Sequence, residues 1–237
     1  MISEAIILAG GLGTRLRSEI GDIPKPMAPI SGKPFLEILI HALESEGIQH
    51  IILSLGYRAQ AIIDYFQNKK FSPSLSFVVE DKILGTGGAI KLATQKMSTD
   101  YALVMNGDSF LDMDVDAASL FFDKYKAPVI FGYDVDNTHR YGRIEYEGSL
   151  ITKITEKGKT GLGTISAGVY ILPKRMLDRF PPDNAFSIEY DVFSTLSRED
   201  NFRLFHSQQY FIDIGTPESY KLAQVELKNH FPHLFKT

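Results

Sequence analysis

The sequence predicts an α/β fold: a single three-layer α/β/α domain with a mixed, mostly parallel sheet and a small antiparallel insertion. Three observations predict it. Short apolar runs alternate with segments of helical periodicity through the first half. Glycine-rich turns follow several of these runs directly. The second half then switches to apolar–polar alternation around Glu147-Gly148, the pattern of a hairpin.

Residues 5–8 form a short apolar run, read as a buried strand, and Gly10, Gly11 and Gly13 follow it. Phe35, Leu36, Leu39, Ala42 and Leu43 recur at helical spacing, with Gly47 where a C-cap glycine belongs. Strands are expected at 50–55, 75–80, 101–106 and 128–133. Helices are expected at 58–68, with Ile62, Ile63 and Phe66 inward, and at 88–97 and 116–125. In the second half, 143–146 and 150–154 are the arms of the hairpin, and 167–172 and 210–214 are strands. Segments 174–180 and 188–196 read as helical. The segment 217–229 reads as a closing helix, with Thr216 as N-cap and Pro217 at the first helical position. No repeat, low-complexity tract or long linker divides the 237 residues, so one domain over 1–237 is expected.

Composition narrows the function. Lys and Arg number 25 and Asp and Glu 29, a formal net charge of −4. That balance argues against a dedicated nucleic-acid binder, which is usually strongly basic. Apolar residues make up 44%, as in soluble globular domains, and no stretch approaches a membrane span. The chain has no cysteine, which removes disulfides, thiolate catalysis and Cys-type zinc sites and fits a cytoplasmic protein. His41 and His50 read as structural or surface residues, and no Ser-His-Asp arrangement is expected.

The sharpest feature is the run from Leu8 through Gly10, Gly11, Leu12, Gly13, Thr14 and Arg15 to Leu16. A glycine loop directly after a strand lets backbone N–H groups approach an anion. Arg15 adds a planar fork for phosphate oxygens. The loop is not a Walker A, because no Gly-Lys-Ser/Thr ends it. Downstream, Pro24 and Pro26 stiffen the backbone around Lys25, pre-ordering an ammonium. A second glycine loop, Leu84-Gly85-Thr86-Gly87-Gly88, opens a helix and can take a flat base or sugar edge. Asn106-Gly107-Asp108 and Asp213-Ile214-Gly215 each place a carboxylate at the end of a strand, where open α/β sheets bind ligands. Two carboxylates facing a phosphate ligand suit Mg²⁺; Asp213 is also read as a capping candidate before Thr216-Pro217. Glu156-Lys157 offers a hydrogen-bond acceptor and a second phosphate cation, and Glu189 is a further carboxylate. Gly168, within a strand, marks close approach by a ligand.

Together these segments resemble the nucleotide-sugar pyrophosphorylases, or sugar-phosphate nucleotidyltransferases. The match runs in order through the 10–16 loop, Pro24-Lys25-Pro26, 84–88, 106–108, Glu156-Lys157, Ala167-Gly168-Val169-Tyr170 and 213–217. Segments 22–30 and 33–37 look most like the D-glycero-D-manno-heptose 1-phosphate guanylyltransferases. The resemblance implies a nucleotide-diphospho-sugar transferase fold. It implies that an NTP and a sugar 1-phosphate give an NDP-sugar and pyrophosphate, with GTP and the heptose phosphate favoured, for surface glycan synthesis. Residues 1–133 would then bind the nucleotide and 134–237 the sugar phosphate. In that reading Gly11 to Thr14, Arg15 and Lys25 hold the triphosphate. Glu80 and Gly85 read the base, beside Leu8, Gly10, Thr86 and Asn106. Asp108 and Asp213 hold Mg²⁺, Lys157 binds the sugar phosphate, and Gly142, Glu156, Gly168 and Glu189 contact sugar hydroxyls. The catalytic set is Arg15, Lys25, Asp108 and Lys157.

Ser166 departs from the family, which more often has asparagine there. No left-handed β-helix region is expected, and so no acyltransferase activity. No nucleic-acid or membrane partner is expected, and the exposed face of helix 217–229 could mediate a homodimer. Uridylyl or thymidylyl transfer to a hexose or N-acetylmuramate 1-phosphate is the alternative within the class. Outside it stand a nucleotide-sugar sensor and a glycosyltransferase, whose Asp-x-Asp spacing appears at Asp112-Met113-Asp114.

Overall fold

The computed structural model describes residues 1–11, 13–155, 157–181, 184–196, 198–207 and 209–235, without the Thr14 side chain. The first apolar run forms β1 (Glu4–Leu8). After α1 (Arg17–Ile20) come two short strands, β2 (Pro29–Ile30) and β3 (Lys33–Pro34), which pair with each other. Next are α2 (Phe35–Ser45), β4 (His50–Leu55), α3 (Ala59–Phe66) and β5 (Ser74–Val79). Then follow α4 (Gly85–Ala93), β6 (Tyr101–Asn106), β7 (Ser109–Leu111), α5 (Val115–Tyr125) and β8 (Val129–Val135). The hairpin is β9 (Ile144–Glu147) and β10 (Leu150–Ile154), followed by β11 (Gly163–Pro173). The chain ends with β12 (Arg203–His206), β13 (Phe211–Asp213) and α6 (Pro217–His230).

Nine strands form one sheet in the order β5-β4-β1-β6-β11-β8-β12-β10-β9. Followed through their pairings, β10 and β11 run against the rest, so seven of the nine share a direction. Side chains of β1 alternate between two cores, Ala5 and Ile7 on one face and Ile6 on the other. In β6, Leu103 and Met105 face the first core and Ala102 and Val104 the second. The first core receives the apolar faces of α2, α3, α5 and α6, and the second receives α4 with Leu177, Phe186, Ile188, Phe193 and Leu204 among others. Burial on both faces explains why the strands of the first half read as continuous apolar runs. Among the described residues, no helix is long and apolar enough to cross a membrane.

The caps follow the sequence. Gly47 adopts φ +77° past the end of α2, and its N–H reaches Glu44 O at 3.1 Å. Thr216 and Ser219 form a reciprocal capping box at the start of α6. Four expectations need correction. The helix expected at 88–97 starts at Gly85 and ends at Ala93. Segment 174–180 is only a 3₁₀ turn over Lys174–Leu177. Segment 188–196 is a π-helical turn, Ile188–Val192, followed by a 3₁₀ turn. The strand at 167–172 runs from Gly163 to Pro173 through a register shift. The short strands β2, β3, β7 and β12 carry no period of their own, because tertiary pairing decides them.

At the amino end of β1, Glu4 is 2% exposed and ties β4 to the segment before β6. It accepts hydrogen bonds from His50 Nδ1 at 2.8 Å, the Thr99 N–H at 2.7 Å and the Ser98 hydroxyl at 2.9 Å. Burial alone would raise its carboxyl, but His50, Thr99 and Ser98 outweigh burial and hold it down at about 2. The folded value lies below the ordinary 4.5, so the contribution is complete above about pH 5 and fades as pH falls toward 2. Glu4→Gln is expected to cost about 2 kcal/mol of unfolding free energy at pH 7. It should also lose less further stability between pH 5 and 2 than the parent. Denaturant titrations across that range check both, and parallel curves would contradict the anchoring role.

Candidate active site

The cleft is built where parallel strands end together. Register places Leu8 of β1 beside Ser54 of β4 and Asn106 of β6, so three loops leave the sheet at its carboxyl edge side by side. The crowding there explains particular glycines. A Cβ on Gly107 would stand 2.6 Å from Leu8 O, and one on Gly10 would stand 3.0 Å from Gly56 N. A Cβ on Gly56 would collide with the Glu80 carboxylate.

The loop after β1 turns at Gly13, φ +60°, where a side chain would meet Lys25 Cβ at 2.8 Å. Lys25 therefore passes under the glycine loop and pairs with Asp108 Oδ2 at 2.6 Å. The lysine side chain is 11% exposed and the aspartate 41%. Arg15, in a 3₁₀ turn over Thr14–Leu16, stands exposed above them. On the far wall, Glu80 Oε2 accepts the Leu84 N–H at 3.0 Å and so fixes the entry to α4. Gly85 has φ +69° and lies against Phe186 O. Thr86 Oγ1 donates to Glu189 at 2.5 Å and accepts the Ile188 N–H at 3.0 Å, joining the second glycine loop to the π-helical turn.

These groups line a cavity of about 800 Å³. A second cavity, of about 710 Å³, is lined by Lys157, Gly142, Gly168 and Asp213. Arg15, Thr86, Asn106, Asp108 and Glu189 line both, so the two are one continuous cleft. Leu8, Gly10, Gly11, Gly13, Lys25, Glu80 and Gly85 lie in the first part. Leu12 and Glu156 lie outside the described residues, as does the Thr14 side chain.

Asp213 is more heavily engaged than a strand-end carboxylate suggests. Its Oδ1 accepts from Arg140 at 2.8 Å, the Gly215 N–H at 2.6 Å and the Ser219 hydroxyl at 3.2 Å, and its Oδ2 accepts from the Tyr141 hydroxyl. Burial opposes its charge, but Tyr141, Gly215 and Arg140 outweigh burial and keep the carboxyl below its usual range. Burial and the same carboxylate push the Tyr141 hydroxyl up. Asp213 is not the cap of α6, since Thr216 caps it, but it holds the start of that helix through the Ser219 hydroxyl. Gly168, φ +74°, lies within 2.6 Å of Asn106 Nδ2 as measured from an added Cβ, so a protein side chain already approaches there. Gly142 is glycine because Thr155 O lies 2.6 Å from where its Cβ would be. Ser166 Oγ accepts the Gly168 N–H at 3.2 Å.

Arg140, Tyr141, Tyr57 and Phe186 escaped the sequence reading although they line or shape the cleft. The signal for the first two was Arg140-Tyr141 standing directly before Gly142. The donor set fits a hard cation held partly by ligand phosphates. Asp108 and Asp213 border the same cavity, and among the described residues no three acidic or histidine side chains form a complete cage. Asp114 of the Asp-x-Asp run accepts the Ala117 N–H at 2.8 Å as the N-cap of α5.

A family model for nucleotidyl transferase matches residues 4–230. The chain belongs to that family. Among curated family relatives, the D-glycero-alpha-D-manno-heptose 1-phosphate guanylyltransferase of Aneurinibacillus thermoaerophilus is 38% identical over 228 residues, covering 96% of this chain and 99% of the relative. The protein of the same name from Campylobacter jejuni is 39% identical over 223 residues, covering 92% and 96%. The crystal structure of HddC from Yersinia pseudotuberculosis complexed with GMP-PN superposes with a TM-score of 0.85 at 41% identity, covering 96% of this chain and all of that one.

The edge geometry gives a direct test. Gly107→Ala puts a methyl against a backbone carbonyl that cannot move cheaply. It is expected to destabilise by about 2 kcal/mol, read by denaturant unfolding. An unchanged midpoint would show that the loop after β6 relaxes freely.

Proposed function

We propose that the chain joins GTP and D-glycero-α-D-manno-heptose 1-phosphate to give GDP-heptose and pyrophosphate, supplying an activated sugar for surface glycans. The carrying observation is the continuous cleft, with Lys25 at one end, Lys157 at the other and Arg15 and Asp108 shared between them. The names of the two relatives covered almost end to end support the choice of base and sugar.

Residues 1–133 form the nucleotide half and 134–237 the sugar-phosphate half in this reading. Backbone amides of the 11–14 loop, Arg15 and Lys25 hold the triphosphate. Glu80, with Gly85 and Thr86, faces the base. Lys157 holds the sugar phosphate, and Glu156, Glu189, Gly142 and Gly168 surround the sugar. A phosphate oxygen of the sugar 1-phosphate attacks the α-phosphorus. A new P–O bond forms, the bond to the β-phosphate breaks, and pyrophosphate leaves. Positioning and charge neutralisation supply most of the acceleration, and no nucleophilic side chain is needed.

Asp108 and Asp213 are the residues that would hold Mg²⁺, which when bound neutralises charge on the reacting phosphates. Asp108 is accessible for this, whereas Asp213 must exchange one of its present donors. We place the reaction in the cytoplasm, where GTP is available, and assign any homodimer to the face of α6 bearing exposed Leu222 and Val225. The capping role of Asp114 weakens the glycosyltransferase alternative.

A pyrophosphate-release assay tests the reading, crossing GTP, UTP, dTTP, CTP and ATP with heptose, mannose, glucose and N-acetylmuramate 1-phosphates. The expected maximum is GTP with the heptose phosphate. A maximum elsewhere would overturn the substrate pair, and silence everywhere would overturn the class. Asp108→Asn should lower kcat by about a thousandfold with the fold retained. Arg15→Ala should raise the KM for GTP by about tenfold or more while leaving Tm nearly unchanged; equal losses in both would make the loop structural.

A further inference from the structure

We infer that Arg140 is a second cation for the phosphate of the sugar substrate, held in waiting by Asp213; this rests on the reaction proposed above. Four observations support it. First, Asp213 does not depend on Arg140, because Tyr141, the Gly215 N–H and Ser219 all donate to it as well. Second, the Arg140 side chain is 44% exposed and lines the same cavity as Lys157, with only one of the five guanidinium N–H groups given to Asp213.

Third, the backbone carries Arg140 and Lys157 on two loops laced together. The Gly158 N–H donates to His139 O at 3.0 Å, and Thr138 Oγ1 donates to Lys159 O at 2.8 Å. The touching point of Gly142 and Thr155 closes the same seam, so the two cations enter the cavity from neighbouring turns. Fourth, a sugar 1-phosphate is a dianion at neutral pH, and Lys157 alone neutralises half of it. A guanidinium fork offers the paired N–H groups that a phosphate accepts side by side.

The Arg140–Asp213 contact is then the resting arrangement. The phosphate takes over the fork, and Tyr141, with its hydroxyl on Oδ2 and its ring 5.3 Å below the guanidinium carbon, keeps Asp213 in place. Arg140 positions the nucleophilic oxygen through the phosphate that bears it.

The experiment is steady-state kinetics on the full chain and its Arg140→Ala, Arg140→Gln and Arg140→Lys variants, with thermal melting of each. The expected result for Arg140→Ala and Arg140→Gln is a KM for the sugar 1-phosphate raised about tenfold or more. The KM for GTP should change less than about twofold, with Tm within a few degrees of the parent. Arg140→Lys should recover part of the loss, because it restores charge without the fork. The same shift is expected with mannose 1-phosphate wherever the parent uses it, since the contact is to phosphate.

An unchanged sugar-phosphate KM in a parent-like fold overturns the inference. So does a loss shared equally by Tm and both KM values, which would make Arg140 a structural partner of Asp213. If Arg140→Ala does not fold, Arg140→Gln and Arg140→Lys decide. A parent enzyme inactive on every sugar phosphate would instead strike the proposed reaction.

Discussion

The approach of Gly107 to Leu8 is the contact on which the cleft depends. The Gly107 N–H donates to Leu8 O at 2.9 Å, and no side chain fits between the two strands' ends. That closeness delivers Asp108 directly over the loop that follows β1. From the other side, Gly13 admits Lys25 beneath the same loop. The ion pair between Lys25 and Asp108 thus joins groups 83 positions apart, and it is met because two glycines leave room for backbone on both sides. Gly10 and Gly56 do the same for the wall that carries Glu80. Ligand-facing backbone and close strand packing are one requirement at this edge.

The first half of the fold was legible because burial on both sheet faces writes a strong apolar signal. The run at 50–55 became β4 with the same ends, and the run at 101–106 became β6. The second half was less legible for the converse reason. β12 is four residues of which only Leu204 is buried, and its place is set by lying parallel to β8. The start of α4 was misread because glycines at 85, 87 and 88 look like a loop. In the fold they are helical, and they are glycines because Phe186, Leu84 and Asn184 press on them.

The site divides along the same line. Glycine loops and strand-end carboxylates are local signals, and Gly10, Gly11, Gly13, Gly85, Asp108 and Asp213 line the cleft, whereas Gly87 and Gly88 are buried against their neighbours. What the sequence could not display is how a carboxylate is spent. Asp114 and Asp213 look alike as acidic residues near a helix start. Asp114 gives one oxygen to a helix N–H, whereas Asp213 gathers donors from α6, its own turn and the 139–142 loop. That difference arises only when the strand carrying Asp213 is paired to β7, far from it in sequence.

The two ends of the cleft are not separable parts. β11, from the second half of the chain, lies between β6 and β8 and pairs with both. A displacement of the wall that carries Gly168 must therefore be felt by the strand that carries Asn106 and leads to Asp108. A second link runs through α4, where Thr86 holds both Glu189 and the backbone of Ile188. Two linkages of different kinds, one through a rigid sheet and one through a hydroxyl, hold the walls at a fixed spacing. The transfer proposed above would need that spacing, because its rate falls steeply with small misplacements of the reacting atoms.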